Sequence, residues 1–320
     1  MPNSIPTPPT DLPRDVAGFG QSCVDHLMVV PTLALGDGKF PASEYAMEGG
    51  GPVGTPLVAL ARWGRRCRYF GTLAGDAPGA LMRARLEEAG VDLGAATARP
   101  GATTHTALIL VHERTGERAI VWRRDPALVL RPEELKRDIV VGARLLYLDG
   151  RGGEADALAA RWAFEAGRIV VVDIERVDAW TPAILAHCHV AIGCEGFAER
   201  LTGAQDLGEA LAKMRALGPW IVGETLGPRG SVVFDGDRLA RTAGFVVPTR
   251  DTTGAGDIYH AAWAHALLEG WDLHRSATFA NAAAALSTRA LGGRAGLGSV
   301  ADIEALMEDP GARRYCEAPR

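Results

Sequence analysis

Short apolar runs that end in Gly, Asp or Thr recur along the chain: V-A-G-F-G (16–20), R-C-R-Y-F-G (66–71), R-L-L-Y-L-D (144–149), R-I-V-V-V-D-I (168–174), H-V-A-I-G (189–193) and W-I-V-G-E-T-L (220–226). Between them lie longer segments with apolar residues at helical spacing, among them 56–63, 79–89, 155–166, 207–217 and 255–268. This alternation predicts an α/β fold with a mostly parallel central sheet and helices on both faces. Ligands of such sheets bind at the carboxyl ends of the strands.

Two segments break the rhythm. Residues 106–124 read as two β-rich arms around a Glu-Arg-Thr-Gly-Glu turn, and residues 38–48 are strand-like with no helix following. Together they predict a small sheet projecting from the body, with lid segments at about 33–48 and 103–125. No fixed-period repeat and no long linker divides the 320 residues, so residues 15–308 are expected to form one domain. The proline-rich residues 1–14 read as a disordered arm, and 309–320 as a loose tail.

Composition narrows the class without naming a chemistry. Apolar residues make up 47% and charged residues 23%, as in globular proteins. The 34 Lys and Arg residues are scattered against 39 acids, giving a net charge of −5 and no nucleic-acid footprint. Five cysteines at irregular spacing contain no C-x-x-C pair, which reads as reduced thiols in a cytoplasmic protein. No apolar run reaches the roughly 18 residues that span a bilayer.

Candidate chemistry concentrates in R-D-T-T-G-A-G-D-I-Y-H, from Arg250 to His260. Gly254 and Gly256 free the backbone just where a helix begins and its first N–H groups lack partners, so the turn gathers donors around an anion. A carboxylate at 257 repels such an anion and needs a reason. General-base catalysis supplies one, with Asp257 taking a proton from a hydroxyl beside the nest. A helix-capping aspartate is the other reading of the same residue. His260, one turn further on, reads as a packing residue, with contact to substrate as the other reading.

D-T-T-G-A-G-D resembles the carboxy-terminal signature of the ribokinase-like (PfkB) carbohydrate kinases. The resemblance implies a three-layer α/β/α fold with a small β-sheet lid, and ATP-dependent transfer of a phosphoryl group to a primary hydroxyl of a small sugar. It makes Asp257 the base, makes Gly254, Ala255 and Gly256 the anion hole, and sets Asp251 and Thr252 near the nucleotide phosphates. The stretch G-G-G-P-V-G-T-P-L-V-A-L-A-R-W-G (49–64) is similar to the family's amino-terminal signature, with Gly49, Gly50 and Gly51 approaching sugar hydroxyls. Thr55 stands where relatives carry Asn, which changes one sugar contact. Asp25 matches the aspartate that holds two sugar hydroxyls at the end of the first strand.

On the nucleotide side, Thr225, Gly227 and Gly230 resemble a turn that lies against ATP, and Asn281 matches a helix flanking the adenine. The family's N-x-x-E motif is altered, with Cys194 and Phe197 at its positions, which leaves Glu195 as the neighbouring candidate for Mg2+. The resemblance also admits a monovalent cation and a homodimer formed through the lid. Lys39 on one lid segment and Arg123 and Arg124 on the other are expected to grip a second anionic group on the acceptor, such as a phosphate or sulfonate, with solvated surface charges as the other reading. A nucleoside kinase of the same superfamily and a non-catalytic sugar-binding homologue are the competing readings.

Overall fold

The computed structural model describes residues 5–34 and 36–315. The chain opens with β1 (Arg14–Phe19), β2 (Cys23–Val30), β3 (Glu44–Gly50), α1 (Gly54–Arg62), β4 (Cys67–Tyr69), β5 (Thr72–Ala74), α2 (Ala77–Glu88) and β6 (Thr97–Arg99). It continues through β7 (Thr106–His112), β8 (Arg118–Arg123), α3 (Arg137–Val141), β9 (Ala143–Leu148), α4 (Glu154–Glu165), β10 (Ile169–Ile174), α5 (Thr181–Leu185) and β11 (Val190–Cys194). The last third holds α6 (Phe197–Thr202), α7 (Leu207–Ala216), β12 (Ile221–Thr225), β13 (Ser231–Phe234), β14 (Leu239–Thr242), α8 (Ala255–Glu269), α9 (Leu273–Ser287) and α10 (Val300–Glu308).

Eight strands form the main sheet in the order β14-β13-β12-β11-β10-β9-β1-β4, parallel from β12 to β4. Burial on both faces explains why these strands read as continuous apolar runs. Along β10, Ile169 and Val171 enter one core with α1, α8 and α9, while Val170, Val172 and Ile174 enter the other with α4 and α5. Every residue of α8 from Ile258 to Leu268 is buried, His260 and His265 included, so this helix is covered all round instead of striped. The architecture is the three-layer α/β/α arrangement.

The antiparallel strands β13 and β14 extend the sheet edge and were not anticipated. Their Asp-Gly connection at 235–236 is the local signal for such a hairpin. A separate four-stranded sheet runs β3-β2-β7-β8, with β2 parallel to β7 and the outer pairs antiparallel. Here too one strand departs from expectation. Residues 20–22 alone separate β1 from β2, too few for a helix, so the chain passes directly from one sheet to the other. Leu27, Val29, Ala107, Ile109 and Val111 face inward, whereas Tyr45, Met47, Leu108 and Val121 are exposed.

Both chain ends are more engaged than their composition suggested. Ile5 packs against the core, and the backbone of Arg313 and Tyr315 hydrogen-bonds to Val246 and Gly244 at 2.9 and 2.8 Å. The remainder of the expected arm and tail, residues 1–4 and 316–320, lies outside the described residues.

Candidate active site

The start of α8 is set by backbone geometry. Gly254 adopts φ +73°, and a Cβ there would stand 2.7 Å from the Gly293 Cα, so position 254 needs glycine for both conformation and space. A Cβ on Gly256 would meet nothing within 4 Å, because that residue faces an open cavity. Asp251, fully buried, fastens the turn: its carboxylate accepts from the Thr253 N–H and hydroxyl at 2.8 and 2.7 Å and from the Gly292 N–H at 2.8 Å. Thr252 joins the turn to the small sheet. Its N–H and its hydroxyl both donate to the Gly116 carbonyl at 3.1 Å, and its oxygen accepts from Arg118 at 2.8 Å.

A cavity of about 480 Å³ opens between this turn, the strand ends and the inner face of the small sheet. Asp257, Gly254, Gly256, Asp25 and Gly51 line it, so two stretches more than 200 residues apart in sequence meet there. Five arginines, Arg118, Arg123, Arg124, Arg151 and Arg176, line the same space. Arg151 pairs with Glu175, and the Arg124 guanidinium lies 4.3 Å over the Trp122 ring. Burial, and then the Arg151 charge, lowers the pKa of Arg124 to about 10.

Asp25 sits within β2, on the small sheet and not at the end of the first strand. Burial raises its carboxyl to about 6, against the Cys23 thiol, which donates to it at 3.1 Å, and the Arg294 charge. A Cβ on Gly50 would fall 2.0 Å from the Asp25 carboxylate, so this glycine is the floor on which the carboxylate rests. Gly49 has another partner. A Cβ there would fall 2.2 Å from an Arg294 nitrogen.

Arg294 was missed by the sequence reading. It is 6% exposed and donates to the Gly50 carbonyl at 2.9 Å and to the Thr55 hydroxyl at 3.4 Å, while its second terminal nitrogen has no partner among the described residues. Burial lowers its pKa to about 10, and the charges of Asp25, Asp257 and Glu48 oppose that shift. The hydroxyl of Thr55 thus meets this arginine, which stands behind the glycine loop.

Asp257 lies in the first turn of α8 and lines the cavity. Burial pushes its pKa well above the usual carboxylate range; Asp173, Glu175 and Asp25 add to the rise, and His260 opposes it. Asp149, Asp173 and Glu175 sit at the ends of β9 and β10, where the fold class places ligands, and that position was the signal by which they, Arg151 and Arg176 were readable.

Several candidates lie elsewhere. Lys39 is exposed and is not among the residues lining the cavity. Glu195 is exposed and pairs with Arg229. Among the described residues no group of three or more His, Cys, Asp or Glu side chains is arranged to hold a metal ion. Thr225 ends β12; Gly227 begins a short 3-10 turn and Gly230 follows it, with φ of +58° and +95°. None of the three lines the cavity. The Asn281 side chain points inward and donates to the Ser231 hydroxyl and the Ala277 carbonyl, both at 2.9 Å. Ala255 begins α8, its N–H donating to the Thr252 carbonyl at 3.3 Å.

Comparison with known proteins gives these observations a context. The family model described as pfkB family carbohydrate kinase matches residues 14–298. The chain is 25% identical to a nucleoside kinase of Methanothermobacter thermautotrophicus, over 85% of this chain and 88% of that protein. It is 27% identical to an ATP-dependent ribose-1-phosphate kinase of Halopiger xanaduensis, over 84% and 90%. A solved structure of a putative ribokinase from Agrobacterium tumefaciens superposes with a TM-score of 0.84 at 25% identity, covering 92% of this chain and 97% of that one.

Proposed function

We propose a specific reaction for a chain that belongs to the pfkB family of carbohydrate kinases, phosphotransferases with an alcohol group as acceptor: ATP-dependent phosphorylation of a primary hydroxyl on a small sugar that carries a second, anionic group. The observation behind this reading is the shared lining of one cavity by Asp257, the Gly254–Gly256 turn, Asp25 and five arginines.

Asp25, on a strand of the small sheet, accepts hydrogen bonds from acceptor hydroxyls and fixes which one faces Asp257. Asp257 then takes the proton of that hydroxyl, and its raised proton affinity suits the task. The N–H groups of the first α8 turn, presented beside Gly256, stabilise charge on the transferring phosphoryl. Arg124, Arg151 and Arg176 hold the distal anion, whose charge would otherwise disfavour entry beside Asp25, Asp257 and Glu175. The small sheet, tied down through Thr252 and Gly116, excludes water as a lid.

ATP supplies the phosphoryl group, and the open space above Gly256 at a helix N-terminus fits its terminal phosphate. Mg2+ retains several waters and takes few protein ligands, so the lack of a carboxylate cage among the described residues agrees with a metal held mainly by phosphate oxygens. Thr225, Gly227, Gly230, Asp251 and Thr252 remain the proposed frame of the nucleotide side. The exposed face bearing Tyr45, Met47, Leu108 and Val121 is the proposed contact with a second copy.

A coupled ATP-consumption assay tests the proposal, run with neutral sugars, with sugars bearing a phosphate, sulfonate or carboxylate, and with adenosine. Turnover should be highest on an anionic sugar, and Asp257→Asn should cut it by about 10²-fold or more while leaving ATP binding intact. Near-normal turnover in that variant removes the base assignment. Adenosine as the best acceptor replaces the sugar reading with a nucleoside kinase.

A further inference from the structure

The α8 helix carries a second polar residue that the reaction as described does not use. His260 is 3% exposed, one turn below the catalytic turn. Its Nδ1 lies 2.7 Å from the Gly256 carbonyl oxygen, and its Nε2 lies 3.1 Å from the Ile192 carbonyl oxygen on β11. Both oxygens are pure acceptors, so a ring donating to both carries a proton on each nitrogen. A neutral ring would turn a lone pair toward one of them in a buried site. Asp173 on β10, itself 5% exposed, places a carboxylate oxygen 3.4 Å from Nδ1. Burial lowers the ring's pKa on balance, against the Gly256 and Ile192 carbonyls and the Asp257 and Glu175 charges, and burial also raises the Asp173 carboxyl; the two carbonyl acceptors, which a neutral ring cannot both satisfy, are the geometric ground for the cation.

We propose that His260 and Asp173 form a buried imidazolium–carboxylate pair that acts as a positioning device for the catalytic turn. The Gly256 carbonyl that His260 holds belongs to the same planar peptide as the Asp257 N–H. Fixing the oxygen down the helix therefore fixes that N–H toward the cavity, where the transferring phosphoryl is bound. The second effect is electrostatic. Asp257 faces Asp173 and Glu175 from β10, Asp25 from β2, the Tyr147 hydroxyl from β9 and the Arg294 cation from the loop after α9. The His260 charge offsets Asp173 in this acidic surround, so Asp257 stays ionised at lower pH than its other neighbours would allow.

The inference rests on the assignment of Asp257 as the base, and two measurements separate the claims. The first is the pH profile of kcat for wild type, His260→Asn and Asp173→Asn. His260→Asn leaves a carboxylate unbalanced beside Asp257, so the acid limb should move up by about one pH unit, a tenfold loss on the acid side. Asp173→Asn should move it the opposite way. In both, the KM for ATP should change less than kcat. A fall in kcat without displacement of the limb, or displacement in the same direction in both variants, overturns the proposal, whereas an active Asp257→Asn overturns the base assignment instead.

The second measurement needs no activity and no variant. Nitrogen-15 spectra of histidine-labelled wild type should show one of the eight rings protonated on both nitrogens up to pH 9. All rings neutral at that pH refutes the pair even if His260→Asn fails to fold.

Discussion

Replacing Asp25 by Asn should stabilise the free protein while removing acceptor binding. The carboxyl is 7% exposed and raised to about 6 from an ordinary 3.8, so the folded state binds its proton more tightly than the unfolded chain does. The sign follows from linkage: a raised carboxyl favours folding below about pH 4, and that advantage is lost as pH rises through about 6. At pH 8 the ionised group burdens the fold by the full difference of about two units, roughly 3 kcal/mol. At pH 5 the burden is about half as large. For 320 residues, an unfolding entropy of about 2 cal/mol/K per residue converts 3 kcal/mol into a rise in Tm of about 4–5 °C. Thermal unfolding of both proteins at pH 5 and pH 8, without ligand, measures this, and acceptor KM is read beside it. A gain equal at the two pH values, or a loss at pH 8, would refute the argument that an ionised, desolvated Asp25 is maintained for binding.

Further outcomes follow from the same geometry. Gly49→Ala puts a methyl against the Arg294 guanidinium and should lower stability by about 1–3 kcal/mol, a loss that Gly49→Ala combined with Arg294→Met should partly reverse in thermal melts. Arg151→Ala and Arg176→Ala should each raise KM for an anionic acceptor by about tenfold or more and leave KM for ATP within about twofold; equal effects on charged and neutral acceptors would argue against an anion subsite. Arg118→Ala breaks one tie between the small sheet and Thr252 and should raise futile ATP hydrolysis relative to sugar phosphorylation. Val121→Asp places a charge on the most exposed apolar position of the outer sheet face and should give a monomer by light scattering if that face joins two copies.

The conformation of the turn at 251–257 was legible because its determinants are local: a glycine that must adopt positive φ, a helix start and a carboxylate occur within seven residues. The parallel core was legible for the same reason, each strand being a self-contained apolar run. The small sheet was only partly so. β2 left no mark of its own, since a strand that follows another after three residues looks like a continuation of it. Arg294 lies 244 residues from the glycine whose carbonyl it holds, and no local pattern reports a contact at that separation. His260 was read as packing, and it is buried, but two carbonyls from different elements give it a charge-bearing environment that a helical period does not reveal. Lys39 drew notice as a scarce residue in a strand-like segment, whereas the cations at the cavity stand on β8 and just beyond β8, β9 and β10.

The arginine behind the glycine loop also divides the pocket by how it is able to change. Side chains at 49 and 54 would collide with a guanidinium that is itself wedged against Thr55, so none of these positions varies without the others. Arg151 and Arg176 instead line the cavity just beyond strand ends, where Arg151 pairs with Glu175. On the proposed assignment, exchanges at Arg151 or Arg176 would alter which acceptor is taken, while positions 49, 54, 55 and 294 change only together.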